Sequence, residues 1–154
     1  MSEEIKLVTS NRKAYHDYRI EDKVEAGIAL QGSEVKSLRA GRASLQDAYC
    51  KVDGGEVIMM NCHISPYTQA SHFNHEPVRP RTLLLHRKEI DRLDKAVRQK
   101  GYTLIPLRIY FRNGYAKVEI GLARGKRQYD KRADIAEKET KRRLDRIGRR
   151  GSGI

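Results

Sequence analysis

The most regular alternation of apolar and polar positions in this sequence is YTLIPLRIYFRNGYAKVEIGLA, from Tyr102 to Ala123. Alternation on both sides of Asn113-Gly114 is the period of strands with one buried face. Asn-Gly suits a two-residue type I′ turn, because both positions need positive φ. Folding the strands about that turn makes Ile109 face Val118, Leu107 face Ile120 and Ile105 face Leu122. These pairs form one apolar face. On the other face Tyr110 meets Lys117, and Arg108 meets Glu119 as a pair of opposite charge. Pro106 falls on that outer face and is expected near an edge or a bulge, since it has no amide hydrogen to donate.

Gly54-Gly55 predicts a second hairpin, with Val52 opposite Val57 and Cys50 opposite Met59. An earlier strand runs through YRIEDKVEAGIAL, with Val24, Ala26, Ile28 and Leu30 on one face. Gly27 inside it marks a bulge or a close backbone approach. RTLLL supplies another short strand. Two helices interrupt the strands. GSEVKSLRAG puts Val35 and Leu38 on one side, with Ser33 as N-cap and Gly41 just past the end. HRKEIDRLDKAVRQKG puts Ile90, Leu93 and Val97 on one stripe, with His86 as cap, Glu89 three residues on and Gly101 closing the helix.

These elements predict a mainly β fold with short helices, a small antiparallel barrel. The charge makes an OB-like barrel, of the oligonucleotide-binding type, the natural choice. The chain has 32 Lys/Arg against 20 Asp/Glu, a net charge of +12, and favours polyanionic partners, nucleic acid before a membrane surface. The charge is uneven: residues 124–154 hold 12 Lys/Arg against 5 Asp/Glu. The organisation expected is a flexible N-terminus over residues 1–10, a barrel over 11–124 and a basic tail over 125–154. The tail has good helix formers but a narrow apolar stripe of Ala133, Ala136, Leu144 and Ile147. Glu137 and Glu139 are placed to pair with Lys141 and Arg143 at i, i+4. Such a segment gains little from its own domain and is expected to order as a helix on a partner. Roughly eighteen helical residues would reach about 27 Å.

No apolar run is long enough to cross a bilayer and the start MSEEIKLVTS has no signal-peptide core, so a cytoplasmic, reducing location is expected. Cys50 and Cys62 show no pairing pattern and read as small sheet residues. The sequence has no P-loop, GxSxG, CxxC or HExxH. Cys62-His63 and His72-x-x-His75 fit no structural zinc spacing, so neither a metal nor another cofactor is expected. Glu21, Asp22 and Glu25 are close in sequence, but strand geometry sends Asp22 to the opposite face. Binding is favoured over catalysis. Tyr15, His16, Tyr18, Tyr110 and Tyr129 are candidates for stacking on unpaired bases. Tyr15 and Tyr18 serve equally well as core or plug residues. Nothing asks for more than a monomer. Residues alone leave a general RNA-binding or ribosomal barrel protein open, and a nuclease or RNA-modifying enzyme after it. A membrane-surface helix is disfavoured, because the tail lacks an aromatic or Leu-rich face.

Four blocks go further: NRKAYHDY, EAGIALQGSEVKSLRAGRASLQDAY, LLLHRKEIDRL and GLARGKRQYDKR. In residue, order and spacing they closely resemble the SsrA-binding protein (SmpB) family, over about residues 11–135. The resemblance implies a non-enzymatic role in trans-translation. Proteins of this kind bind the tRNA-like domain of transfer-messenger RNA. They help bring its alanyl form, with elongation factor Tu, to stalled ribosomes. The basic tail enters the vacant mRNA channel of the small subunit near the decoding centre. The resemblance places Glu25, Leu84 and Lys117 on the RNA surface, with His16 as a stacking candidate. It places Lys126, Arg127, Tyr129, Asp130, Lys131 and Arg132 toward the decoding region. Each has a plainer alternative where the residues allow one. Glu25 suits a salt bridge, Leu84 suits core, and Asp130 suits the N-cap of the tail helix.

Overall fold

The computed structural model describes residues 4–67 and 74–125. In chain order these form β1 (Ile5–Ser10), α1 (Arg12–Asp17), β2 (Tyr18–Ile28), α2 (Gly32–Arg39), β3 (Ala43–Ser44) and β4 (Tyr49–Asp53). There follow β5 (Glu56–Met60), β6 (His63–Ile64), β7 (Arg81–Leu84), α3 (Arg87–Lys100), β8 (Thr103–Arg112) and β9 (Tyr115–Gly125). The fold is mainly β with short helices, and the strand pairings among the described residues are antiparallel.

The pairings make a closed circuit. β8 pairs with β9, β9 with β2, β2 with β7, β7 with β5, β5 with β4, and β4 returns to β8 through Cys50 and Leu104. β1 takes the rest of that β8 edge, from Ile5 opposite Arg112 to Ser10 opposite Arg108. Residues 5–10, expected within a flexible N-terminus over 1–10, form a paired strand. Inside the circuit lie Val24, Ala26, Ile28, Val57, Met59, Leu83, Ile109, Val118 and Ile120, all buried. Leu38 of α2 and Leu93 of α3 join the same core.

The Asn113-Gly114 turn has both φ angles positive, +51° and +84°, as a type I′ turn requires. Beside it the expected register holds: Ile109 faces Val118, Tyr110 faces Lys117 and Arg108 faces Glu119. Further along it fails, because the ladder shifts between Pro106 and Arg108. Pro106 faces Ile120, Ile105 faces Gly121 and Leu104 faces Leu122, so neither Leu107–Ile120 nor Ile105–Leu122 forms. Pro106 does sit at a bulge, but it is buried. The shift releases Leu107 into a second apolar cluster with Ile105, Ala123 and Ala14 of α1. Sequence periodicity did not predict α1. Its cap Asn11 is 4% exposed. Oδ1 accepts from the Ala14 amide at 3.0 Å, and Nδ2 donates to the carbonyls of Leu45 and Pro106 at 3.0 and 3.2 Å.

Gly121 is the counterpart of that displaced leucine. A Cβ there would lie 2.8 Å from Leu107 Cδ1 and 3.0 Å from its Cγ, and Leu107 is fully buried. Gly121→Ala is expected to cost about 1–3 kcal/mol through overpacking, read as a lower urea midpoint at unchanged m-value.

The Val52–Val57 and Cys50–Met59 pairs form as expected, and β7 forms from RTLL. The strand expected through Leu30 ends at Ile28, although Leu30 still packs on the core. α3 starts after His86, whose amide donates to Glu89 Oε1 at 3.1 Å, and closes at Gly101 in the left-handed region. α2 corrects its expected cap. Gln31, not Ser33, is the N-cap, and its amide donates to Glu34 Oε1 at 2.7 Å. Ser33 is buried, with its Oγ 2.8 Å from His75 Nδ1. Gly41 does follow the helix in the left-handed region, with φ +73°.

Candidate nucleic-acid interface

β2 lies between β7 and β9, and this order assembles the site. Val24, Ala26 and Ile28 point into the core, so Lys23, Glu25 and Gly27 face outward. Gly27 stands opposite Leu84 of β7 on one side and Lys117 of β9 on the other. Its missing Cβ matters, because one built there would come within 3.2 Å of Leu84 Cβ. This is the close approach that the glycine predicted. The ladder shift in β2 lies elsewhere, between Ile20 and Asp22. The result is a groove of about 620 Å³ whose lining includes Lys23, Glu25, Gly27, Leu84, His86 and Lys117.

Three residues expected on an RNA surface thus meet in one groove. Leu84 is 57% exposed, so the core alternative does not describe it. Lys117 makes no ion pair among the described residues. Its neighbours differ: Lys23 lies 3.8 Å from Glu119 Oε1, and Arg92 is paired with Asp22. Glu25 does form a salt bridge, with Arg112 Nη2 at 3.1 Å from Oε2, and the same oxygen accepts from the Tyr110 hydroxyl. Glu25 faces Glu119 across the strand pair, a like-charge arrangement that needs compensation. Arg108 supplies it on the Glu119 side at 2.7 Å.

Tyr110 does not serve as a stacking platform. It is 3% exposed, and Arg108 and Arg112 lie over its ring at 5.3 and 5.9 Å. Burial, followed by the bond to Glu25, pushes its phenol well above the ordinary range. His16 is exposed on α1, 2.9 Å from Asp17, and does not line the groove. Neighbouring Tyr15 comes closer, with the Lys23 ammonium 5.6 Å from its ring. Tyr18 packs on the second cluster. Tyr129 and the tail positions Lys126, Arg127, Asp130, Lys131 and Arg132 lie outside the described residues, as does His72.

The acidic trio does not form a catalytic pair. The ladder shift at Glu21 turns Glu21 and Asp22 toward one groove beside α3, not to opposite faces. There Glu21 accepts from Tyr102, and Asp22 pairs with Arg92. Among the described residues no three His, Cys, Asp or Glu gather as metal ligands. His75 is buried, with Nε2 2.7 Å from the Ile64 carbonyl. Burial raises both thiols, Cys62 to about 11, so each stays protonated; Cys50 is a sheet residue in β4, whereas Cys62 lies between β5 and β6. Among the described residues no helix is long and apolar enough to cross a membrane.

Sequence reasoning missed Tyr110 and Arg112 as the supports of Glu25. The hairpin register places Tyr110 beside Lys117, but only the β2–β9 pairing brings Glu25 to them.

The family model described as SmpB protein matches residues 8–150. The chain belongs to the SmpB family. Among its relatives is the SsrA-binding protein of Symbiobacterium thermophilum, 60% identical over 144 residues, 93% of this chain and 91% of that one. The SsrA-binding protein of Thermobifida fusca is 60% identical over 145 residues, with 94% and 91% covered. That of Bacillus cereus strain G9842 is 55% identical over 144 residues, with 94% and 93% covered. A solved chain described as "tmRNA-SmpB: a journey to the center of the bacterial ribosome" superposes with a TM-score of 0.65 at 52% identity. The match covers 77% of this SmpB-family chain and 83% of the solved one.

Proposed function

We propose that this SmpB-family chain is a non-enzymatic RNA-binding protein of trans-translation, acting in the cytoplasm as a monomer. An OB-like barrel over residues 11–124 binds the tRNA-like domain of transfer-messenger RNA and helps deliver its alanyl form, with elongation factor Tu, to stalled ribosomes. The basic tail over 125–154 then enters the vacant mRNA channel as a helix, with Lys126, Arg127, Tyr129, Asp130, Lys131 and Arg132 near the decoding centre. The closed circuit of strand pairings supports the barrel. The names of the relatives and of the solved neighbour support the RNA.

The observation that carries the reading is the groove on β2, β7 and β9. It offers RNA three complementary chemistries side by side: Lys117, without an ion pair among the described residues, for a phosphate, exposed Leu84 for a base or sugar face, and Glu25 as an acceptor. His16 on α1 stands outside the groove and is assigned no more than a peripheral contact.

The test compares binding to transfer-messenger RNA and to an unrelated RNA of equal length, across salt, for the full chain and a version ending at Gln128. Both proteins are expected to prefer transfer-messenger RNA. Only the full chain is expected to support tagging on stalled ribosomes. Equal affinity for both RNAs with one salt slope would leave a general RNA-binding barrel in place of this reading.

A further inference from the structure

Glu25 is a held carboxylate. Its Oε2 accepts from the Tyr110 hydroxyl and makes an ion pair with Arg112 Nη2 at 3.1 Å. Both contacts fall on Oε2, so that oxygen is engaged by the protein. Oε1 has no hydrogen-bond partner among the described residues, and Glu25 lines the groove with Leu84 and Lys117. Tyr110 lies outside the apolar core cluster, on the outer face of β8, with its ring between two guanidinium groups. It is thus buried by charged neighbours and directed at one carboxylate.

We infer that Tyr110 and Arg112 are positioning residues that fix Glu25 so that Oε1 alone accepts from the bound RNA. This deepens the proposed function and rests on it. A guanine edge offers N1–H and N2–H together and is best met by both oxygens of a carboxylate. With Oε2 occupied, Glu25 is matched to a single donor, an exocyclic base amine or a ribose 2′-hydroxyl. Glu119, directly across on β9, does not share this role. It is half-buried, bonded to Arg108 at 2.7 Å and faced by Lys23.

The experiment is a double-mutant cycle in the full chain: wild type, Tyr110→Phe, Glu25→Gln and the double variant. Each is titrated with transfer-messenger RNA and with the unrelated RNA, beside a thermal melt. Tyr110→Phe keeps the ring and its cation contacts and removes only the bond to Glu25. It is expected to weaken cognate binding about tenfold, the worth of one hydrogen bond to a charged group. Binding to the unrelated RNA is expected to stay unchanged. In the Glu25→Gln background the same substitution is expected to add nothing, because its effect passes through the carboxylate. Arg112→Lys, which keeps the charge but loses the planar reach to Oε2, is expected to behave alike. It carries the test alone if Tyr110→Phe fails to fold.

Equal losses in both backgrounds, or on both RNAs, would make Tyr110 a structural residue and overturn the inference. So would a Glu25→Gln that loses cognate affinity while Tyr110→Phe and Arg112→Lys do not. A wild-type chain with no preference for the cognate RNA is a separate outcome. It would remove the functional reading first and the inference with it.

Discussion

Glu34→Ala is expected to lower folding stability by about 3–5 kcal/mol, a large share of the roughly 5–15 kcal/mol typical of a domain. Glu34 is fully buried on α2, where an amphipathic pattern would put an apolar residue. Arg79 Nη2 donates to Oε1 at 2.6 Å, Arg81 Nε donates to Oε2, and the Gln31 amide donates to Oε1 at 2.7 Å. Arg81 is itself fully buried at the start of β7, and it also donates to the carbonyls of Cys62 at 2.7 Å and Pro77 at 3.2 Å. Removing the carboxylate leaves that cation buried without its counter-charge, and this is the costly way to break such a pair. The urea midpoint at neutral pH measures the loss. A change below about 1 kcal/mol would show that the network is replaceable.

The same group sets an acid limit. Burial alone would raise the Glu34 pKa, but the bonds from Arg79, the Gln31 amide and Arg81 outweigh it and hold the pKa below the ordinary 4.5. A carboxylate lowered in the folded state contributes fully above its unfolded pKa, and that contribution is lost as pH falls through the folded value. Wild-type stability is therefore expected to drop below about pH 4.5. Glu34→Gln is expected to show less of that drop.

Lys117→Glu is expected to weaken binding to transfer-messenger RNA on the order of a hundredfold at moderate salt. Two effects combine. A cation with no ion-pair partner among the described residues is removed from the groove. A third carboxylate joins Glu25 and Glu119 on the same outer face, where the RNA would bring phosphates. The neutral variant Lys117→Ala separates the two, with a smaller loss and a salt slope reduced by about 1. Neither change touches the core, so melting is expected to shift little. Wild-type affinity in Lys117→Glu would place the RNA elsewhere on the protein.

What could be read before folding was local. Asn113-Gly114 determined a turn and its nearest pairs, since Arg108–Glu119 and Tyr110–Lys117 need only alternation and the turn type. The read stopped where the ladder shifts beside Pro106, because a bulge is chosen by what its leucine can pack against. That partner is Ala14, on a six-residue helix too short to show a period. Lys117 was legible as outward-facing from its register, and Gly27 as a close approach. Leu84 and Glu25 were carried by resemblance, since their meeting depends on β7 and β9 flanking β2. Nothing in the sequence singled out Glu34 as buried. Its partners Arg79 and Arg81 lie more than forty residues away in sequence, and no local pattern encodes that contact.

The placing of β1 decides where the chain can be handled. Ile5 lies opposite Arg112, at one end of β8, whereas Ala123, just before β9 ends, lies opposite Thr103 at the other. Ten residues of strand separate those points, about 30 Å. A dye attached at Ile5 therefore sits at the opposite end of β8 from Gly125, the last described residue. Such a label is separated from Gly125 by the length of β8.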